Sequence, residues 1–430
     1  MFKRAVLFFI LSVLGCVANS FAAVNCVPNI ERFRDGIPHF LSKLTENDEV
    51  RIAYFGGSIT AADGWRVQTL AGFSGMYPNT KFVEINAAIG GTGSDLGVFR
   101  QEFDVLRYKP DLVFVEFCVN DGGTSKDRIC KQMEGIVRQI WKHDLNTDIV
   151  FVYTYRLGHE NEYLVNKLPA SVVAMEEIAE FYGIPTLDFN PQVVEMHEEG
   201  KLTYQAEEPE EGKILFSKDG VHPLKEGHEI YTKIVCNAFE KMRLQNEEKN
   251  FPSVELRNKK LARTPFDNDN YEAAKLVPIK ESQLSGEWRP LENDSPLAWT
   301  KQRLGDAVFT SDAPGAMLSF KFKGSYVGIY DVLGPNAGQV WITVDGKKSN
   351  SPVPRFDSFC TYHRLATLEF ANALDPNIVH EVKVVLDSEQ PDRSPVRSSL
   401  QDPEKELAEQ KFQGRNVWFG PVMVIGEIVE

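Results

Sequence analysis

The chain has 430 residues, 43% of them hydrophobic and 25% charged, enough for two or three domains with full cores. A formal net charge of −14 argues against nucleic acid or an anionic membrane as a partner held by bulk electrostatics. It leaves neutral substrates, such as sugar polymers, open.

Residues 1–22 read as an export signal. Lys3 and Arg4 supply the positive start, Ala5 to Leu14 an apolar core, and Ser20 and Ala22 the small residues of a cleavage site after Ala22. That run is too short for a membrane span, and no later stretch reaches spanning length. Val13-Leu14-Gly15-Cys16 loosely follows a lipoprotein cleavage pattern, so anchoring through Cys16 is a lesser alternative to release. Beyond residue 22 lie Cys26, Cys118, Cys130, Cys236 and Cys360, with no C-x-x-C pair, which disfavours a zinc or redox motif. Cys118 sits in an apolar run and reads as a small core residue.

Over residues 23–244, apolar runs alternate with helically patterned segments. Strands are predicted at residues 51–55, 81–85, 112–117, 149–155 and 185–189, and helices at 126–143, 170–182 and 224–243. This alternation predicts parallel βαβ units, hence an α/β fold: a three-layer α/β/α sandwich around a central parallel sheet. The run at 112–117, Leu-Val-Phe-Val-Glu-Phe, is nearly all apolar, as a central strand covered on both faces requires. Residues 195–211 carry seven glutamates and read as a solvated, turn-rich insert, with a lid over the site as the alternative. Residues 245–284, interrupted by Pro252, Pro265 and Pro278, read as a linker packed along the first domain. From 285 to 430 the texture changes to short alternating runs at 316–322, 326–330, 340–344 and 381–386, with a last strand at 417–428. Strands without intervening helices predict a smaller β-sandwich domain. Residues 390–415 read as a long exposed loop. Tyr330 and Trp341 are either sugar-stacking aromatics or, as alternating strand aromatics usually are, core.

Four short blocks carry chemistry. Tyr54-Phe55-Gly56-Gly57-Ser58-Ile59-Thr60 ends the first predicted strand, so Ser58 stands at the carboxyl edge of the sheet, where open α/β folds bind ligands. A serine hydroxyl needs a base within hydrogen-bond reach, itself oriented by a third group. Asp219-Gly220-Val221-His222 offers that pair, because the glycine turn lets Asp219 fold back on the imidazole. Acyl transfer also needs donors aimed at an oxyanion. Asn86 to Gly93, with Gly90 and Gly91, and Val119-Asn120-Asp121 follow the next two strands and could supply them.

In this order, Gly-Gly-Ser-Ile, Ile-Gly-Gly-Thr, Val-Asn-Asp and Asp-Gly-Val-His resemble the four blocks of the SGNH (GDSL-type) hydrolase superfamily, over about residues 50–243. The resemblance implies a flavodoxin-like α/β/α fold, with Ser58 as nucleophile, His222 as general base and Asp219 as its orienting partner. It implies an oxyanion hole from the Ser58 and Gly91 backbone N–H groups and the Asn120 amide, and no metal or organic cofactor. Gly57 departs from the aspartate of the GDSL pattern, which bears on the geometry of the turn. Thr60 stands where a Gly-x-Ser-x-Gly elbow would place its last glycine.

Together with export, the absence of a greasy lid sequence and a C-terminal β-sandwich, possessed in jelly-roll-like form by accessory carbohydrate-binding modules, the chain resembles secreted acetylxylan-type esterases. The expected partner is an acetylated polysaccharide or oligosaccharide. A lipase or thioesterase and a glycan O-acetyltransferase are the alternatives. Trp65 and Arg66, shortly after Ser58, are candidate substrate-binding residues, with core packing for the tryptophan and a surface position for the arginine as the other reading.

Overall fold

A computed structural model describes residues 27–46, 49–249 and 254–429. The proposed export signal, Cys16 and Cys26 lie outside these residues. Among the described residues no helix is long and apolar enough to cross a membrane, and Cys118, Cys130, Cys236 and Cys360 form no disulfide.

The first sheet contains β1 (Glu31–Arg32), β2 (Glu49–Gly56), β3 (Lys81–Asn86), β4 (Leu112–Glu116), β5 (Asp148–Tyr153) and β6 (Thr186–Asp188). Their spatial order is β1-β6-β5-β4-β2-β3, with β3-β2-β4-β5-β6 all parallel and β1 antiparallel at the edge. The five parallel strands thus follow the doubly wound 2-1-3-4-5 order, whose switch point lies between the first and third of them. Ser58 leaves the end of β2 beside that crevice. Every residue of β4 and β5 is buried, because helices cover both faces. One of these, Lys126–His143, turns Ile129, Met133, Ile136, Val137, Ile140 and Trp141 inward, while Asp127 in its first turn and Lys142 and His143 in its last complement the helix dipole.

The glutamate-rich stretch is more ordered than a loop. Helix Asn190–Glu198 occupies its start, and Leu202–Gln205 pairs in parallel with Ile214–Ser217. Tyr204 explains the tie: it is buried and its ring stacks on Tyr155 and on His197. The segment read as a linker holds helix Val254–Ala262, whose Arg257 bonds buried Asp148, and strand Ala274–Val277.

The C-terminal region is a large antiparallel sheet wrapped around its own core of Leu318, Phe320, Val340, Val384, Phe419 and neighbours. Its spine is a 17-residue strand, Met317–Leu333. The first half of the spine pairs with Val379–Leu386, the second half with Arg364–Ala371, and Val417–Val429 runs along its other side. The sequence pattern divides this spine at Lys323-Gly324-Ser325. The structure keeps it continuous because Gly324 allows close backbone approach: a Cβ there would lie 2.2 Å from the Ile425 carbonyl oxygen. Strand Ala274–Val277 also pairs with Val417–Val429. Residues 390–415 include short helical turns, with Val396 and Phe412 buried in a small cluster with Leu333, Phe356 and Cys360. Tyr330 is buried, whereas Trp341 is partly buried under the Lys348 ammonium.

The two regions share apolar packing, with Phe99 and Tyr326 rings 4.9 Å apart. Arg303 adds polar ties, reaching Asp104 Oδ1 at 3.0 Å and the Asn86 carbonyl at 3.0 Å.

Candidate active site

Ser58 opens the four-residue helix Ser58–Ala61 directly after β2. The turn is fixed by backbone bonds, Ala61 N–H to the Gly57 carbonyl (2.9 Å) and Ala62 N–H to the Ser58 carbonyl (3.1 Å), and by buried Ile59 and Thr60. Asp219 and His222 follow strand Ile214–Ser217, on the loop before helix Lys225–Lys249. The fold joins these segments across the sheet edge. Ser58 Oγ lies 2.8 Å from His222 Nε2, and His222 Nδ1 lies 2.6 Å from Asp219 Oδ2.

Asp219 is held from its other side. Its Oδ1 accepts from Ser217 Oγ (2.9 Å), Val221 N–H (2.9 Å) and His222 N–H (2.8 Å). Partial burial works against its charge, but the His222, Val221 and Ser217 bonds outweigh it and keep the carboxyl well below the usual carboxylate range. Asp219 therefore stays ionised through the pH range in which an ordinary aspartate takes up its proton. Both Asp219 and His222 are exposed, with side chains 57% and 50% accessible, so the site is shallow and open to solvent.

Gly90 sits against Ser58: a Cβ at Gly90 would lie 3.7 Å from Ser58 Cβ. Gly91 adopts φ +72°, a left-handed conformation that favours glycine, and faces open space. This loop is pinned beside Ser58 by Ile89 N–H on the Gly56 carbonyl (3.0 Å). Asn120 begins the 3-10 turn Asn120–Gly123 and presses against Gly57, where a Cβ would meet Asn120 Oδ1 at 2.0 Å. A side chain at 57 would therefore have to displace the Asn120 amide. The neighbouring Asp121 is buried, and its Oδ1 accepts from Ser94 N–H at 2.9 Å, locking the loops of Asn120 and Gly91 together.

Trp65 and Arg66 do not line this site. Trp65 is fully buried, its ring 5.4 Å from Tyr54, 5.5 Å from Phe114 and 6.0 Å from Phe189. Arg66 is only 3% exposed. Its Nε donates to the Thr60 carbonyl (3.1 Å), and its other nitrogens reach Asp63 and Glu84. Helical spacing from Gly64 turns Trp65 into the core and Arg66 back under helix Ser58–Ala61, as support rather than lining. Trp65→Ala is expected to lower stability by about 3–5 kcal/mol, the range for emptying a buried aromatic site. Thermal or urea unfolding measures that loss, and Trp65→Phe should leave KM within about twofold because no substrate touches this ring.

Ser217, Glu116 and Thr154 complete the surroundings of Ser58, His222 and Asp219 and stand outside the four sequence blocks. Glu116 did carry a signal, as the one charged residue in the apolar run of β4.

Residues 54–230 match the model of the GDSL-like Lipase/Acylhydrolase family. Among solved structures the chain is similar to a two-domain esterase active on acetylated mannans, co-crystallised with mannopentaose. The identity is 19% and the TM-score 0.68, covering 91% of this chain and 94% of that one. The same enzyme without that ligand gives 19% and 0.68 over 91% and 95%. An acetyl xylan esterase, AlAXEase, is similar over 44% of this chain and 99% of its own, at 20% identity and a TM-score of 0.36. No curated protein matches the sequence. The mannan esterase shares the fold of both regions.

Proposed function

We propose that this chain, a member of the GDSL-like lipase/acylhydrolase family through residues 54–230, is an exported serine esterase that removes O-acetyl groups from a plant-type polysaccharide. The observation that carries this reading is the unbroken chain from Ser58 Oγ through His222 to Asp219, with bonds of 2.8 and 2.6 Å. In the reaction, His222 Nε2 takes the Ser58 proton as Oγ attacks the acetyl carbonyl. The carbonyl electrons move to oxygen, and that oxyanion is met by the Ser58 and Gly91 N–H groups and the Asn120 amide. Collapse breaks the ester bond, and the sugar hydroxyl leaves with the proton from His222. Water, deprotonated by the same histidine, then releases acetate from Ser58.

A carbohydrate ester is favoured over a long-chain lipid by the openness of the site. A cavity of about 350 Å³ runs from Gly91 and Thr92 to Asp357 and Arg364 of the C-terminal region. Beside it, on residues 353–364, Phe359 and Tyr362 are 66% and 60% exposed, rings suited to stacking on sugars. Both acetylated mannan and acetylated xylan fit this chemistry. Acetate release from each polymer, set against hydrolysis of p-nitrophenyl esters of rising chain length, tests the reading. Release from an acetylated polysaccharide with a preference for acetyl over longer acyl groups is expected, and a preference for long chains would overturn it.

Asn120→Ala is expected to lower kcat on p-nitrophenyl acetate about 10²–10³-fold, the usual cost of losing one oxyanion donor. Steady-state kinetics on the folded variant checks this, since Asn120 is exposed and its loss empties no core.

A further inference from the structure

Glu116 ends β4 directly beneath the turn that carries Ser58, and it is 1% exposed. Its Oε2 accepts from Thr60 Oγ1 at 2.9 Å and, more weakly, from Gly57 N–H at 3.4 Å. Its Oε1 accepts from Thr154 Oγ1 at 2.9 Å, just past the end of β5. No ion pair involves it among the described residues. A buried carboxylate without a counter-charge is costly, and an apolar residue would suit a central strand better. Burial accordingly pushes its pKa up to about 7, with the Thr154, Thr60 and Gly57 bonds opposing the shift.

The neighbouring glycines make room for this arrangement. A Cβ at Gly56 would lie 2.7 Å from the Glu116 carbonyl and 3.0 Å from both Glu116 Oε2 and Thr60 Oγ1. At Gly57 the space is taken by Asn120. The carboxylate that meets this turn comes from the adjacent strand.

We propose that Glu116 is a positioning residue for the nucleophile: its carboxylate clamps Gly57 and Thr60, on either side of Ser58, to the end of β5, and so fixes Oγ on the line to His222. This rests on Ser58 being the nucleophile. The clamp has no contact with substrate, so its loss should appear in kcat and in the reactivity of Ser58 rather than in KM.

The test compares Glu116→Ala and Glu116→Gln with the parent chain on p-nitrophenyl acetate, normalised to folded protein, together with the rate of Ser58 labelling by a fluorophosphonate. Glu116→Ala is expected to lower kcat and the labelling rate by up to about 10²-fold, as for a ~1 Å misplacement of a reacting group, with KM within about threefold. Glu116→Gln, which can still accept from one threonine and donate to the other, should recover most of the loss. A Glu116→Ala kcat within about twofold of the parent, or no recovery by glutamine, overturns the clamp. Should Glu116→Ala fail to fold, Thr60→Val and Thr154→Val remove the two hydroxyls singly. Each should lower kcat several-fold (roughly 3–10) at constant KM, and parental kcat in both overturns the proposal. Ser58→Ala separates the layers: if it stays active the nucleophile assignment fails, whereas loss there with an unaffected Glu116→Ala sinks only the clamp.

Discussion

Ser58→Ala is expected to reduce kcat for acetate release by about 10⁴–10⁶-fold, the largest effect of any single substitution in this chain. The reason is the bonding of His222 among the described residues: Nε2 meets Ser58 Oγ at 2.8 Å, while Nδ1 is engaged by Asp219. The Cys118 thiol cannot substitute, because it is fully buried and burial holds it well above the usual thiol pKa. Nor should the loss be confused with unfolding. The turn around Ser58 is built from backbone bonds and from buried Ile59 and Thr60, and alanine keeps all of these. Acetate measured from acetylated mannan and xylan, with an unfolding curve matching the parent, checks the expectation. Activity above roughly 1% of the parent would show that another group performs the attack.

The legibility of this site followed physical range. Ser58, the Asp219–His222 pair and the parallel sheet were readable because each depends on local pattern: an apolar strand ending in glycine, a turn between two chemically distinctive residues, helices whose apolar spacing matches their period. Helices 126–143 and 170–182 fall on the observed Lys126–His143 and Ala170–Tyr182. Trp65 and Arg66 were less readable because proximity in sequence to Ser58 does not say which way a helix turns its side chains. Gly64 starts the helix so that the indole enters an aromatic cluster and the guanidinium caps the turn from below. Glu116 stands out in its run, but what it does is hidden for a related reason: its partners, Thr60 and Thr154, lie past the ends of two other strands, and only the sheet order brings them to one carboxylate. The same limit applies in the C-terminal region. There the break at Lys323-Gly324-Ser325 is a turn by composition but a continuous strand once Val417–Val429 supplies the ladder.

Asp219→Asn carries the second large effect, a fall in kcat of about 10⁴-fold, and the hydrogen bonds around the carboxylate dictate why. Three donors converge on Oδ1: Ser217 Oγ at 2.9 Å, Val221 N–H at 2.9 Å and His222 N–H at 2.8 Å. An asparagine must keep its carbonyl oxygen there, because the amide NH₂ cannot accept from them. The NH₂ group is then forced towards His222 Nδ1, which must turn acceptor and leave its proton on Nε2, the nitrogen that receives the Ser58 proton in the proposed reaction. The variant would be folded and correctly shaped but locked in the wrong tautomer. Asp219→Ala, which imposes no tautomer, should therefore be no worse than Asp219→Asn despite removing more of the side chain. Parallel kinetics of the two variants on p-nitrophenyl acetate decide it: an asparagine variant within tenfold of the parent would mean that Asp219 holds the imidazole in place without setting its proton.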